Sequence, residues 1–96
     1  MDICPGQIVY STAGRDKGRY FIVIEQIDEN YVYICDGDIR RFEKPKKKKV
    51  KHLRFTGKDA QYIKDKLDKM QKVSNSEIRK SLKAFLEESE SENGIV

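Results

Sequence analysis

One segment, Tyr20-Phe21-Ile22-Val23-Ile24, is apolar on both of its alternating faces, and it limits what the rest of the chain can build. A β-branched and aromatic run of this kind reads as a central strand, buried above and below. It needs a partner on each edge and cover on each side. The chain supplies 96 residues for the purpose, 38% of them charged, at a mean hydropathy of −0.76. A chain of this length hides roughly 65% of its unfolded surface, enough for one modest core. A single domain is expected, and a large enzyme with a deep enclosed cleft is excluded.

Short strands flank the central one. Residues 6–11 read as a strand, and 12–19 as a polar loop in which Gly14 and Gly18 surround Arg15, Asp16 and Lys17. Asp28-Glu29-Asn30 reads as a hairpin turn. Residues 31–35 then alternate, with Val32 and Ile34 on one face and Tyr31, Tyr33 and Cys35 on the other. Asp36-Gly37 predicts a hairpin returning into a strand over 38–43, with Ile39 inward and Pro45 as its end. The lysines 46–49 would then form an exposed loop before a last short strand holding Val50, Leu53 and Phe55. Five strands in about 55 residues predict a small antiparallel SH3-like barrel.

Beyond Thr56 the period changes. Ala60, Ile63, Leu67 and Met70 recur at helical spacing and predict a helix over 58–72, with Thr56 as N-cap and Asp59 three residues on. Ser74 and Glu77 form a capping box that opens a second helix carrying Ile78, Leu82, Phe85 and Leu86 on one face. The fold class is therefore mainly β with C-terminal α. Residues 1–55 form the barrel, 56–88 the helical pair and 89–96 a disordered acidic tail.

The net charge of +4 is unevenly spread. Residues 1–39 sum to −4, and the last thirteen residues to −4. Residues 40–54 hold nine cations (Arg40, Arg41, Lys44, Lys46, Lys47, Lys48, Lys49, Lys51 and Arg54) against Glu43 alone, a net +8. Cations packed at that density repel one another unless a polyanion neutralises them, which points to RNA. Arg15, Lys17 and Arg19 form a second basic group in the glycine-flanked loop. Lysine binds phosphate as a point charge and does not read bases through a fixed fork, so the contact is expected to position rather than specify.

Gly6-Gln7-Ile8-Val9-Tyr10-Ser11, followed by Ala13-Gly14-Arg15-Asp16-Lys17-Gly18-Arg19-Tyr20-Phe21-Ile22-Val23, resembles a KOW motif. The continuation through Asp36-Gly37, Arg40-Arg41, Pro45, the lysines and Lys51-His52-Leu53 is similar to the SH3-like KOW proteins of the archaeal and eukaryotic large ribosomal subunit, and to their short bacterial relatives. The resemblance covers about residues 4–54. It implies an RNA-binding protein on or near the large ribosomal subunit, with rRNA as partner, and Gly18 as the structural glycine of the motif. The long helical extensions of the eukaryotic ribosomal members are missing, and the helical pair has no clear counterpart; a ribosomal protein is a candidate partner for it. The alternative is a protein-interaction module like the KOW domains of transcription elongation factors.

Tyr31 and Tyr33 share a face and are the candidates for stacking on unpaired bases; Tyr10, Tyr20 and Phe42 are expected to pack. Cys4 and Cys35 are 31 positions apart with no metal-ligand spacing, and both are expected as buried free thiols. His52, the one histidine, has neither an orienting carboxylate nor a nucleophile near it in sequence, so no catalytic residue, metal or cofactor is assigned. The N-terminal segment shows no basic and apolar leader and no span is apolar enough for a membrane. A cytoplasmic protein, monomeric when free, is expected.

Overall fold

A computed structural model describes the backbone of residues 3–94 and the side chains of residues 3–88. Five strands pair antiparallel: β1 (Gln7–Ser11), β2 (Tyr20–Gln26), β3 (Tyr31–Cys35), β4 (Lys46–Lys49) and β5 (Leu53–Asp59). Their order is β4-β3-β2-β1-β5, so the segment that is apolar on both faces does lie at the centre. A single 3₁₀ turn, Val50–His52, joins the two edge strands. The ladder is open as described: β4 and β5 are its edges, and the closed barrel expected from the strand spacing is not formed by pairing.

Alternation along the strands divides two cores. Phe21 and Val23 face one way with Val9, Val32, Ile34, Leu53 and Ile3. Ile8, Ile22 and Cys35 face the other way, onto Ile63, Val73, Ile78 and Leu82 of the helical half. Fully burying a side chain of the size of Phe21 or Ile22 contributes about 1.5–3 kcal/mol. The helices therefore complete the sheet's second face and are no mere appendage to it. Burial pushes the Cys35 thiol up to about 12, helped by the nearby Asp36 and Glu43 carboxylates. Cys4, in contrast to the sequence expectation, is exposed; both thiols are free.

The Asp36-Gly37 hairpin does not form. Asp36 Oδ1 accepts from the backbone N–H groups of Asp38 (2.9 Å) and Arg40 (2.8 Å), folding 36–40 into a side-chain-bonded loop instead of a two-residue turn. No strand follows over 38–43, and Ile39 is 54% exposed instead of inward. The loop is an anchor for the second helix: Asn75 Oδ1 accepts from Phe42 N at 2.7 Å, and Arg79 Nη1 donates to the Gly37 carbonyl at 2.6 Å. Gly37 has φ +76°, and a Cβ there would collide with the Asn75 carbonyl oxygen. The strand that pairs with β3 is the lysine run itself.

Helix α1 (Gln61–Asp68) is half the length expected. β5 continues through Thr56, whose hydroxyl donates to the Ile8 carbonyl (2.8 Å) where β5 is irregularly paired with β1, so Thr56 serves the sheet and caps no helix. After Asp68 the chain closes a Schellman motif: Gln71 N bonds to Lys66 O and Met70 N to Leu67 O, with Met70 in the left-handed region at φ +55°. Met70 therefore points away, 93% exposed, and leaves the stripe. Helix α2 (Asn75–Gly94) starts as its capping box requires: Glu77 Oε1 accepts from Ser74 N at 2.9 Å and Ser74 Oγ from Glu77 N at 3.2 Å. Ile78 and Leu82 are buried and Phe85 stacks on Tyr20 at 5.5 Å, whereas Leu86 is 40% exposed. The helix takes in most of the span expected as a disordered tail, whose last two residues lie outside the described ones.

Candidate nucleic-acid interface

The register of β4 against β3 sorts the lysines. Lys49 pairs with Tyr31 and Lys47 with Tyr33, while Lys48 pairs with Val32. Residues opposite one another share a face, so Lys47, Lys49, Tyr31 and Tyr33 point outward together. Lys48 points inward with Val32 and Ile34, whereas Lys46, paired with Ile34 and of the same parity, stays exposed at the start of the strand. Its side chain is buried, and its ammonium donates to the Ala13 carbonyl at 2.8 Å. The stem covers apolar core while the charged end finds a backbone oxygen. Lys48 thus fastens the glycine-flanked loop to β4 and is withdrawn from the surface expected of it.

Two more contacts tie the basic loops to each other. Arg40 bonds to Asp16 (3.2 Å), a carboxylate that is 4% exposed, and Arg19 lies 3.9 Å from Asp36. Gly18 ends the loop before β2 with φ +88°; only the Tyr10 hydroxyl comes near the space a Cβ would take. The positive φ, and no close approach, is what demands glycine there. Arg41 pairs with Glu43 at 3.2 Å, both exposed. The Glu43 carboxyl is held below its ordinary value, chiefly by the hydrogen bond from Asn75 and then by Arg41.

The remaining predicted cations are uncommitted. Among the described residues, Arg15, Lys17, Lys44, Lys46, Lys47, Lys49, Lys51 and Arg54 are all exposed and none makes an ion pair. Lys47 Nζ sits 4.6 Å from the centre of the Tyr31 ring, a cation–π contact. Lys44, Lys46 and Lys47 border one open depression with Arg40 and Arg41; Lys49 and Lys51 border a second, with Tyr31. Arg54 stands on β5, the opposite edge strand. His52 serves through its backbone, whose carbonyl accepts from both the N–H and the hydroxyl of Thr12.

Sequence reasoning missed the parity of the lysine run. Strand residues alternate, so four lysines in a strand cannot all face outward, but the preceding Pro45 and the polarity of the run argued for a loop. Tyr31-Val-Tyr-Ile had the complementary alternation that could have suggested the pairing.

No family model matches the chain. Over 53 residues it is 38% identical to the large ribosomal subunit protein eL14 of Desulfurococcus amylolyticus, a match covering 55% of this chain and 55% of that protein. Over 79 residues it is 29% identical to the protein of the same name from Methanococcus vannielii, covering 82% of this chain and 87% of that one. The chain is similar to archaeal large-subunit ribosomal proteins. The first match spans about half of the relative's length, and the second extends into the helical half. Among the described residues no helix is long and apolar enough to cross a membrane.

Proposed function

We propose that this protein docks on structured RNA, rRNA of the large ribosomal subunit, by neutralising phosphates with the outward lysines of β4 and the basic loops beside it. The observation that carries the reading is the sorting of the lysine run. One lysine is spent on holding the loop, while Lys46, Lys47 and Lys49 stay exposed on a paired strand and make no ion pair among the described residues. Like charges held on a rigid strand repel, and a phosphate backbone relieves that repulsion while releasing counterions. The similarity to archaeal large-subunit proteins supplies the choice of rRNA and a place in translation as a ribonucleoprotein component. The protein acts by binding, without a catalytic step, and the helical half is the part left to meet a ribosomal protein.

A filter-binding titration across salt tests this. Neutralising about six phosphates gives a log–log slope near −4 to −5. A slope flatter than about −2 would favour a protein-interaction module, with the lysine face held by an acidic protein surface.

A further inference from the structure

The turn between β2 and β3 and the 3₁₀ turn after β4 flank a half-open cleft of about 440 Å³, lined by Glu29, Asn30, Tyr31, Lys49, Val50 and Lys51. We propose that this cleft receives a single unpaired nucleotide, its base stacked on Tyr31 and its phosphates held by Lys49 and Lys51. The inference rests on the RNA-docking reading and adds to it a kind of RNA: one with a bulged or looped-out base.

Three observations carry it. The cleft is preformed, because Val50 N donates to the Asn30 carbonyl at 2.8 Å and so ties one wall to the other. Asp28 Oδ1 accepts from Asn30 N (2.8 Å) and Tyr31 N (2.9 Å), which fixes the turn that presents the ring. The walls also hold the groups a nucleotide needs and little else. Tyr31 offers an aromatic surface, and Lys49 and Lys51 offer two cations that make no ion pair among the described residues; Lys47, outside the lining, stands 4.6 Å from the ring. The Glu29 carboxylate and the Asn30 amide make no side-chain hydrogen bond among the described residues, leaving an acceptor and a donor for a base edge. The volume falls in the range of small-ligand sites, about 300–1,000 Å³. A paired base cannot use such a cleft, since its faces are covered by its neighbours and the A-form major groove is too narrow for side chains. Tyr33, on the same sheet face, does not line the cleft, so the two tyrosines are predicted to differ.

The test uses the full chain and three RNA hairpins: an uninterrupted stem, the same stem with one bulged adenosine, and the same stem with an abasic bulge. The bulged adenosine should be bound about tenfold more tightly than either control, the order of one base–aromatic stack. Tyr31→Leu should bring the three RNAs to within about twofold of one another. Tyr31→Phe and Tyr33→Leu should retain the preference. 2-Aminopurine in the bulge gives a readout on the unaltered protein: stacking on the ring should quench it. Equal binding of all three RNAs, an unquenched 2-aminopurine, or a preference that survives in folded Tyr31→Leu would each overturn the cleft while leaving RNA docking intact. Binding to none of the RNAs would overturn both.

Discussion

The two basic regions look alike in sequence and behave oppositely in structure. In the loops, three of the four arginines meet carboxylates: Arg40 meets Asp16, Arg19 meets Asp36 and Arg41 meets Glu43, while Arg15 meets none among the described residues. On β4 and the turn after it, Lys46, Lys47, Lys49 and Lys51 meet none among the described residues. Arg40 and Arg19 help to hold the loops in place, and the exposed strand lysines remain for a partner. Charge density alone does not distinguish these roles; the position of each acid does.

The largest expected effect comes from breaking the best-buried loop pair. Arg40→Ala strands Asp16, 4% exposed, without its cation. Stranding a buried charge costs about 3 kcal/mol or more, so the melting temperature should fall by roughly 10–20 °C. The salt slope of RNA binding, measured well below the melting temperature, should change by about one at most. A drop in slope of three with unchanged stability would erase the division between the regions.

The reverse pattern is expected on β4. Replacing Lys46, Lys47 and Lys49 by Gln should flatten the salt slope by about two to three and leave urea stability within about 0.5 kcal/mol. Lys48→Ala, one residue away, should lower stability by about 2 kcal/mol by removing both its packed stem and its bond to Ala13, with little change in slope. Burial separates Lys48 from the other three, Lys46 of equal parity included, and the four lysines cannot be treated as one unit.

A third region shows the pairing logic under acid. Lys66 Nζ lies 2.6 Å from Glu77, and Tyr62 donates to the same carboxylate at 2.7 Å. Lys66, with the Ser74 backbone and Tyr62, depresses the Glu77 carboxyl to about 2, below its ordinary 4.5. Because the folded value is the lower one, the stabilisation is fully present above about 4.5 and lost as pH falls towards about 2. Acid unfolding of Glu77→Gln should show a weaker dependence on pH over that window.

Much of the architecture was legible because it depends on short-range chemistry. The apolar period of 20–24 marked the central strand, and Ser74 with Glu77 marked the start of α2. What failed depended on contacts distant in sequence. Asp36-Gly37 has the composition of a hairpin, but the Asp36 carboxylate and the approach of Asn75 and Arg79 make it a helix anchor. Met70 keeps the helical spacing, yet α1 stops before it because the chain must turn back to bring Val73 and Ile78 onto the sheet. The cations were legible as a group, whereas their division into paired and unpaired was not, since Asp16 and Arg40 lie 24 positions apart.

The smallest effect gives the most direct comparison of the two regions, because it turns a paired cation into an unpaired one. Arg41 and Glu43 are both more than half exposed, and such pairs contribute about 0–1 kcal/mol to stability. Glu43 is also the only acid in the basic block. Glu43→Gln removes its charge while retaining an oxygen to accept from Asn75, so the loop anchor should hold. If its pairing with Glu43 is what keeps Arg41 out of the interface, RNA affinity should rise about two- to threefold, with stability nearly unchanged. Mild acid should not reproduce the gain, because the bonds from Asn75 and Arg41 keep Glu43 ionised below the ordinary carboxylate range. A fall in affinity would mean that the loop contributes through its shape, with the Asn75–Glu43 contact presenting it to RNA, and that unpaired charge is not what separates the two regions.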